Sequence, residues 1–469
     1  MYTFKINKKK HLSFIKLSND KNLIHQLGNN SSKLNLEGTI IHGMNLVLKT
    51  LEILSKKKKI KCKKIISIEC KFKSIVYINE KCKIILKKIS FSKNLILIKT
   101  NQVEVLEIII SFAYLENLKL DNILFNKSVF LKKPIKNNPY KKNKKIIKFN
   151  HTCSKLMMKN NFPSLFKNFG SNRLSSLIMI SASVGMYWPG QNSLFTGFKI
   201  NINNALEKKI YLEIIKVDHR ILFTQTKFIS CGCEGYIESF FRSEKINQPS
   251  IKKLKNYVSK NQFINHNSLI IGGSRGLGEL TAKIILIGGG KVLITFNKNM
   301  KIAKKLKKEL LKSKLNLKIK QFSVKKNGAF NNNFFKNKKY NSIYFFATPL
   351  IYRKKQKIFD NKIYKEFLNV YSAPLKKIIK INKNNKFVFI YPSTTFISEK
   401  NPILKEYVKA KINGENKLKK LNKKFNFDLI INRLPRLLTD QNNSIFEGNL
   451  QPGTHYILNI VKKVNNKLI

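Results

Sequence analysis

The chain has 469 residues, of which 43% are hydrophobic and 25% are charged. This length exceeds what one hydrophobic core usually spans, and the composition is globular, which excludes a disulfide-stapled mini-scaffold and a disordered chain. Lysine and arginine outnumber the acidic residues by 92 to 25, giving a net charge of +67. Only seven of the 92 basic residues are arginine, and lysine is spread over the whole chain. We therefore favour compositional bias over a nucleic-acid site, and place an RNA-binding protein last among the alternatives.

Neither the cysteines nor the apolar stretches indicate a secreted or membrane-bound protein. The six cysteines form no CxxC pair, and Cys231 and Cys233 have no histidine at zinc-site spacing. We therefore expect reduced thiols and no metal site. The sequence opens without an apolar signal segment, and its apolar stretches fall short of the roughly 18 residues that span a bilayer. A cytoplasmic protein without membrane or nucleic-acid partners is expected.

The first polar motif is the string LSNDKNLIH, which is followed by GTIIHGMNL. It places Asp20, Asn22 and His25 in one loop, with His42-Gly43 at the start of a predicted helix. A carboxylate and an imidazole five residues apart can hold one water, as hydration of a conjugated double bond requires. A backbone N–H near Gly43 could polarise a thioester carbonyl, because the first donors of a helix are unpaired. The structural alternatives are a helix or turn cap for Asp20 and a satisfied core histidine for His25.

An internal repeat occupies the first 241 residues. Residues 65–90 and 193–218 each show an alternating strand, a polar turn and a second alternating strand, and an apolar helical segment precedes each copy. This pattern predicts two similar α+β units packed together. The second copy has KNFGSNRL where the first has IIHGMNL, and it lacks the aspartate and the histidine.

After a polar linker at residues 242–267, the pattern changes to strand, glycine turn and helix. The string GGSRGLG follows the strand directly, which is the context in which a glycine turn binds pyrophosphate. The candidate cofactor-binding residues in this turn are Gly272, Ser274, Arg275, Gly276, Leu277 and Gly278. No acidic residue follows the next strand, ITFNK, whereas Ser274, Arg275 and Lys298 could meet a 2′-phosphate. NADP(H) is therefore favoured over NAD(H).

Tyr407 and Lys411 lie one helical turn apart, and Tyr407 follows Ser393 and Thr394 by 14 and 13 residues. A tyrosine hydroxyl can exchange the proton of an alcohol while a nearby lysine lowers its pKa, and a serine or threonine can hold the carbonyl oxygen. The alternative is an ordinary exposed helix face, because a chance YxxxK is unsurprising in a chain so rich in lysine.

The N-terminal motif resembles the MaoC-like (R)-specific enoyl-thioester hydratases, whose signature is D-x-N-P-x-H followed by H-G-M. The resemblance continues to about Phe112, with Leu23 in place of the usual proline. It implies a double hot-dog fold, with the hydratase site in residues 1–115 and a non-catalytic second unit in residues 116–241. The residues it assigns are Asp20 and His25 to catalysis, and Asn22, His42 and Gly43 to substrate or oxyanion contacts.

Residues 268–469 resemble short-chain dehydrogenases/reductases, which implies an α/β Rossmann-type domain with a doubly wound parallel sheet. The residues it assigns are Ser393, Tyr407 and Lys411 to catalysis, Thr394 to substrate, and Ala347, Pro435 and Thr439 to further cofactor contacts. Two features depart from the family. FATP stands in place of N-N-A-G, and the helical catalytic asparagine has no secure counterpart, Asn369 being one candidate.

These features together predict a bifunctional enzyme, an α+β double hot-dog unit followed by a Rossmann-type reductase. NADPH-dependent reduction of a 3-oxoacyl thioester and (R)-specific hydration or dehydration between 3-hydroxyacyl and 2-enoyl thioesters share one compound, the 3-hydroxyacyl thioester. We expect a fatty-acid-like or polyketide pathway, a substrate on coenzyme A or an acyl carrier protein, and a homodimer. The alternative keeps one domain active and the other as a scaffold or acyl-binding module.

Overall fold

The computed structural model describes residues 2–27, 38–114, 131–140, 145–150, 153–191, 193–242, 246–324, 340–351, 359–382, 386–399, 404–439 and 450–469. The chain divides into two compact units, with the boundary between Glu244 and Lys245. All six cysteines are buried free thiols. Within the described ranges, every helix is too short or too polar to cross a membrane.

In the described part of the first unit, ten strands form one antiparallel sheet. The strands are β1 (Tyr2–Phe4), β2 (Ile65–Phe72), β3 (Cys82–Ser90), β4 (Lys93–Thr100), β5 (Val103–Phe112), β6 (Ile146–Phe149), β7 (Ser193–Ile202), β8 (Ile210–Asp218), β9 (Phe223–Ser230) and β10 (Cys233–Phe241). Their order is β1-β3-β4-β5-β2-β7-β10-β9-β8-β6, so the second half mirrors the first. The halves join where β2 pairs with β7, for example Ile68 with Ile200. The repeat predicted from the sequence is therefore present in the structure.

The helices described in this unit are α1 (Lys8–Ser18), α2 (Gly43–Lys56), α3 (Lys155–Asn161) and α4 (Pro163–Ala182). α2 starts at the predicted position, and its apolar stripe, including Leu48 and Leu51, is fully buried because it faces the core. Gly170 interrupts α4 with a φ of 79°, so the long inner part of α4 begins at the KNFGSNRL string. The central helices of the two copies thus start at equivalent positions.

Glu52 on α2 holds the start of α4. Its carboxylate accepts hydrogen bonds from Ser164 N at 3.0 Å and Leu165 N at 2.9 Å. The first N–H groups of a helix have no partner within the helix, and a carboxylate there also matches the helix dipole. A buried side chain of the first copy therefore fixes the central helix of the second.

The second unit contains a parallel sheet, which has six strands in the described residues. They are β11 (Asn267–Ile271), β12 (Lys291–Phe296), β13 (Leu317–Gln321), β14 (Ser342–Phe345), β15 (Val388–Thr394) and β16 (Asp428–Leu434). The order β13-β12-β11-β14-β15-β16 is the 3-2-1-4-5-6 order of the doubly wound Rossmann fold. Ile270 and Leu269 belong to different hydrophobic cores, because neighbouring side chains point to opposite faces and both faces are buried.

The helices described in the second unit are α5 (Ile251–Leu254), α6 (Gly276–Ile287), α7 (Met300–Leu311), α8 (Asn361–Tyr371), α9 (Leu375–Asn382), α10 (Lys405–Lys424) and α11 (Thr454–Leu468). Leu254 and Phe263 lie in the segment that we expected to be a linker, and both are fully buried in a core of this unit. Most of that segment therefore packs as part of the second unit.

Candidate functional site

The structure brings Asp20, Asn22, His25 and His42 together. Asn19 ends α1 in the left-handed region, with a φ of 53°, and turns the chain into the loop. A short 3₁₀ turn, Leu23–His25, closes the loop, and His42 immediately precedes α2. Asp20, Asn22 and His42 are at most 2% exposed, whereas His25 is 8% exposed. His25 is therefore the member of this group most open to a ligand.

Asn22 holds the loop in place. Its Nδ2 donates to Gly190 O at 3.0 Å and to Ser193 Oγ at 2.9 Å, and its Oδ1 accepts from Ile24 N at 3.3 Å. Both ends of the amide are thus engaged by the protein. The structure gives Asn22 a positioning role where the sequence led us to expect a substrate contact.

Asp20 is held by residues from both copies of the repeat. Its Oδ2 accepts from Ser181 Oγ at 2.8 Å, and its Oδ1 accepts from Asn22 N at 3.1 Å. Burial raises the pKa of Asp20 to about 6, and the hydrogen bond from Ser181 opposes that rise by favouring the ionised form. Gly185 lies so close that a methyl group there would overlap Asp20 Oδ1. Sequence reasoning found neither Ser181 nor Gly185.

Three histidines have their tautomers fixed by backbone carbonyls. His25 Nδ1 donates to Ile40 O at 2.8 Å, His42 Nε2 donates to Asp20 O at 3.2 Å, and His11 Nε2 donates to His25 O at 2.7 Å. A carbonyl only accepts, so these nitrogens carry the protons. Burial lowers the pKa of His25 to about 4 and that of His42 well below its usual value. At neutral pH, His25 therefore presents an unprotonated Nε2, which is a base.

Asp20, His25 and His42 also offer three ligand atoms within 4.8 Å of one another, close enough to share a metal ion. A histidine that binds a metal normally donates its other N–H to a carbonyl or carboxylate. Both histidines do so, His25 through Ile40 O and His42 through Asp20 O, and His42 Nδ1 has no partner among the described residues. The donor set therefore suits a metal ion as well as an acid–base pair.

Gly43 allows a close approach at the start of α2. A Cβ at this position would lie 2.7 Å from Phe72 Cε1. Asn45 lies in the same first turn, and its buried Nδ2 has no hydrogen-bond partner in the described chain. The start of α2 therefore combines unpaired backbone N–H groups with an unsatisfied side-chain donor.

In the second unit, the glycine turn joins β11 to α6. Gly272 has a φ of 87°, and a Cβ there would lie 2.7 Å from Ala347 N. A Cβ at Gly278 would lie 2.5 Å from Gly272 O. Gly276 starts α6 with a φ of 60°, and Thr439 lies beside it. This turn leaves the first N–H groups of α6 uncovered by side-chain caps, as a phosphate-binding turn requires.

The other predicted residues of this unit follow the ends of neighbouring strands. Gly272 follows β11, Ala347 follows β14, Thr394 ends β15 and Pro435 follows β16. The carboxyl ends of parallel strands share one edge of the sheet, which is where ligands bind in this fold. Ala347 also packs against the hydrophobic cluster that contains Tyr407, so the glycine turn and Tyr407 meet at this edge. Ser274 and Arg275 are half-buried in the turn, and Leu277 packs against a core.

Lys411 is buried among aromatic rings on α10. Its Nζ donates to Pro392 O at 2.7 Å and lies 4.1 Å from the ring centroid of Tyr371 and 6.0 Å from that of Tyr407. Burial lowers the pKa of Lys411 to about 7, and the negative charge of Glu415 opposes that shift. Tyr407 and Lys411 therefore share one buried environment.

Ser393 and Thr394 differ in what they contact. Ser393 Oγ donates to Glu415 Oε1 at 2.5 Å, and Glu415 Oε2 accepts from Arg433 Nη2 at 2.8 Å. Thr394 Oγ1 accepts from Phe396 N at 3.3 Å, and no described group accepts its hydroxyl proton. The structure thus gives Ser393 a supporting contact where we expected a catalytic one, and leaves the hydroxyl of Thr394 able to donate.

The departures from the reductase pattern also have structural counterparts. Thr348 of the FATP string shares a 2.5 Å hydrogen bond with the hydroxyl of Tyr371. Tyr371 is buried at the end of α8, whereas Asn369 lies on the exposed side of that helix. The ring of Tyr371, and not an amide at Asn369, therefore packs beside Lys411.

Neither a family model nor a curated protein matches this chain. Among solved structures, an alcohol dehydrogenase from the archaeon Thermococcus sibiricus, complexed with 5-hydroxy-NADP, is similar with 14% identity and a TM-score of 0.38, over 42% of this chain and 89% of that chain. A short chain dehydrogenase from Burkholderia cenocepacia J2315 in complex with NADP has 13% identity and a TM-score of 0.38, over 44% and 91%. A 3-oxoacyl (acyl-carrier-protein) reductase from Agrobacterium tumefaciens C58 with NADP bound has 12% identity and a TM-score of 0.37, over 44% and 90%. We assign the doubly wound fold of the second unit from its own strand order, and not from these similarities.

Proposed function

We propose that the chain is a bifunctional acyl-thioester enzyme, with a hydratase site in the first unit and an NADPH-dependent reductase site in the second. The observation that carries the hydratase half is the pairing of a buried Asp20, held by Ser181, with a neutral His25 whose Nε2 is free of a proton. Two matching halves, each with strands and a central helix, support a double hot-dog fold for the first unit.

In the hydratase site, His25 Nε2 takes a proton from water as the oxygen of that water bonds to C3 of a 2-enoyl thioester. The same imidazole then returns a proton to C2, which completes the addition. Asp20 orients the water and stabilises the transient positive charge on His25. The backbone N–H of Gly43 is the candidate donor to the thioester carbonyl, where negative charge develops. Dehydration of a 3-hydroxyacyl thioester is the same process in reverse.

In the reductase site, the hydroxyl of Tyr407 donates a proton to the oxygen formed from a 3-oxo group. Protonated Lys411 lowers the pKa of that hydroxyl, and Thr394 donates a hydrogen bond to the same oxygen. NADPH, when bound, supplies the hydride. Both sites then act on one compound, the 3-hydroxyacyl thioester.

The cofactor assignment depends on residues of the glycine turn and of the following strand. The N–H groups of residues 272–278 would hold the pyrophosphate, because Gly272 and Gly278 allow the close approach described above. Asn297 and Lys298 follow β12 without a carboxylate for the ribose hydroxyl, and Arg275 and Lys298 supply positive charge. This charge favours the 2′-phosphate of NADP(H).

A second candidate keeps hydration and reduces the second unit to a cofactor-binding scaffold. The observation that favours it is the engagement of Ser393 by Glu415, together with the hydrogen bond between Thr348 and Tyr371 at the altered FATP string. Binding of NADPH without its oxidation by any 3-oxoacyl thioester would select this candidate.

The hydratase proposal is tested with the full chain and crotonyl-coenzyme A, by following the loss of enoyl-thioester absorbance. Asp20→Asn should lower the rate by at least about 100-fold, the usual scale for a lost acid–base group. Asp218→Asn is the control, since Asp218 ends β8 and is paired with the exposed Arg220, two residues later. Retained hydration in Asp20→Asn would show that this site has been misassigned.

A further inference from the structure

Arg242 lies close to the Asp20 loop, directly after β10. The preceding residue, Phe241, pairs with Ser193 across β10 and β7. Ser193 Oγ in turn accepts the 2.9 Å hydrogen bond from Asn22 Nδ2. Two short links therefore connect Arg242 to the loop that carries the acid–base residues.

The guanidinium of Arg242 lacks a compensating partner among the described residues. Its Nε is buried without a hydrogen-bond acceptor, and burial lowers its pKa with no acidic group of the described chain opposing the shift. Arg173 of the same unit is fully buried, and its guanidinium donates to Asn203 O at 3.1 and 2.8 Å. Arg242 is half-buried as a whole, but a guanidinium nitrogen buried without an acceptor is unfavourable, and beside a candidate site it indicates a ligand of opposite charge.

The chemistry of that ligand follows from the position of His25. The links through Phe241, Ser193 and Asn22 place Arg242 near the loop of His25, and burial followed by the positive charge of Arg242 lowers the pKa of that histidine. An anion on Arg242 would therefore lie near the reacting carbons. The phosphate of a carrier is separated from the thioester by the whole pantetheine arm, whereas a carboxylate on the acyl chain is only a few bonds away. The planar fork of arginine also matches a carboxylate in two parallel hydrogen bonds.

We propose that Arg242 binds a carboxylate of the acyl group, so that the hydratase site selects 2-enoyl thioesters with an acidic acyl chain. This inference rests on the proposed hydratase function and adds the substrate class to it. Arg242 binds the substrate, and the proton transfers remain with His25.

The test compares two coenzyme A thioesters of equal chain length, one of trans-2-hexenoic acid and one of trans-2-hexenedioic acid. The full chain should hydrate the carboxylate-bearing substrate with the higher kcat/KM. Arg242→Gln should lower that value by about 10- to 100-fold, the scale of a charged hydrogen bond, and leave the methyl-ended substrate nearly unchanged. Arg242→Lys should restore part of the loss. Arg220→Gln is the matched control, because Arg220 is exposed and paired with Asp218.

Equal losses on both substrates, or no preference in the unmodified chain, would overturn the inference. If Arg242→Gln lowers kcat/KM for coenzyme A thioesters but not for phosphate-free pantetheine thioesters, the anion lies on the carrier. That result would also overturn the inference. Calorimetric binding of the saturated thioesters, adipyl- and hexanoyl-coenzyme A, needs no turnover. If the chain binds adipyl-coenzyme A more tightly through Arg242 but hydrates neither enoyl substrate, this inference is upheld and the hydratase proposal is rejected. If the chain hydrates both substrates without that binding preference, the hydratase proposal is upheld and this inference is rejected.

Discussion

Ser181 Oγ donates a hydrogen bond of 2.8 Å to Asp20 Oδ2 across 161 residues of sequence. Ser181 lies on α4, the central helix of the copy that carries neither the aspartate nor the histidine of the motif. The second copy therefore contributes directly to a site whose motif belongs to the first. A hydroxyl that donates to a carboxylate stabilises its ionised form, and this contact limits how far burial raises the pKa of Asp20.

Ser181→Ala should shift the acid limb of the hydration pH profile to higher pH. The pKa of Asp20 is about 6 with the hydroxyl present, and loss of that donor raises it further, so less of the carboxylate is ionised near pH 6. We expect roughly a tenfold lower kcat/KM at pH 6, and a smaller loss at pH 8. Ser183→Ala is the control, because Ser183 donates to Met179 O and not to Asp20. An unchanged pH profile in Ser181→Ala would show that this hydrogen bond does not affect hydration.

Gly185→Ala should abolish hydration without affecting the second unit. The added methyl group would overlap Asp20 Oδ1 and come within 2.6 Å of Asp20 Cγ, so the carboxylate must move. Since a displaced acid–base group loses most of its contribution, we expect at least a 100-fold lower rate. In Gly38→Ala, the new Cβ would make only an ordinary 3.5 Å contact with Tyr77, so this variant should retain hydration. Full activity in Gly185→Ala would contradict the assigned position of Asp20.

Glu415→Gln should move the alkaline limb of NADPH-dependent reduction to lower pH. Burial holds the pKa of Lys411 at about 7, and the charge of Glu415 keeps it from falling further. Without that charge, Lys411 loses its proton at a lower pH and no longer lowers the pKa of Tyr407. Arg433→Gln removes the partner of Glu415 but retains the carboxylate, so its shift should be smaller. Coincident profiles for Glu415→Gln and the unmodified chain would show that Lys411 does not depend on Glu415.

Tyr407→Phe should abolish reduction of a 3-oxoacyl thioester and leave NADPH binding intact. The substitution removes the proposed proton donor and keeps the ring that packs against Tyr371 at 5.7 Å. We expect a loss of about 10² to 10⁴ in kcat, measured as NADPH oxidation. Tyr257→Phe serves as the control, since that ring is 52% exposed. If Tyr407→Phe still oxidises NADPH with the substrate, another group donates the proton.

The sheet of the first unit could be predicted because its signals are local. Alternating residues in 65–90 and 193–218 gave the equivalent strands β2 and β3, and β7 and β8, with a helix before each set. The two strands of each set are not neighbours in the sheet, because two later strands lie between them. Ser181 could not be found in this way, since its contact with the Asp20 loop arises only when the copies pack together. His11 lies in the first copy, but its contact with His25 O depends on how α1 folds back against the loop. The one available signal is the run of small polar residues inside the apolar string LIMISASVGM.

In the second unit, spacing to Tyr407 allowed both Ser393 and Thr394, and it could not choose between them. Neighbouring side chains on a strand point to opposite faces, so Ser393 and Thr394 lie on opposite faces of the sheet. The structure identifies Ser393 through its contact with Glu415. Glu415 itself could have been found, because it lies four residues after Lys411 on the same helix.

Product analysis by mass spectrometry, after mixing the full chain with a 3-oxoacyl thioester and NADPH, tests most directly whether two sites on one chain share the 3-hydroxyacyl compound. The unmodified chain should yield both the 3-hydroxyacyl and the 2-enoyl thioesters. Asp20→Asn should stop at the 3-hydroxyacyl compound, and Tyr407→Phe should leave the 3-oxoacyl substrate intact while still interconverting the other two. Formation of the enoyl product by Asp20→Asn, or loss of both reactions in Tyr407→Phe, would contradict the two-site enzyme.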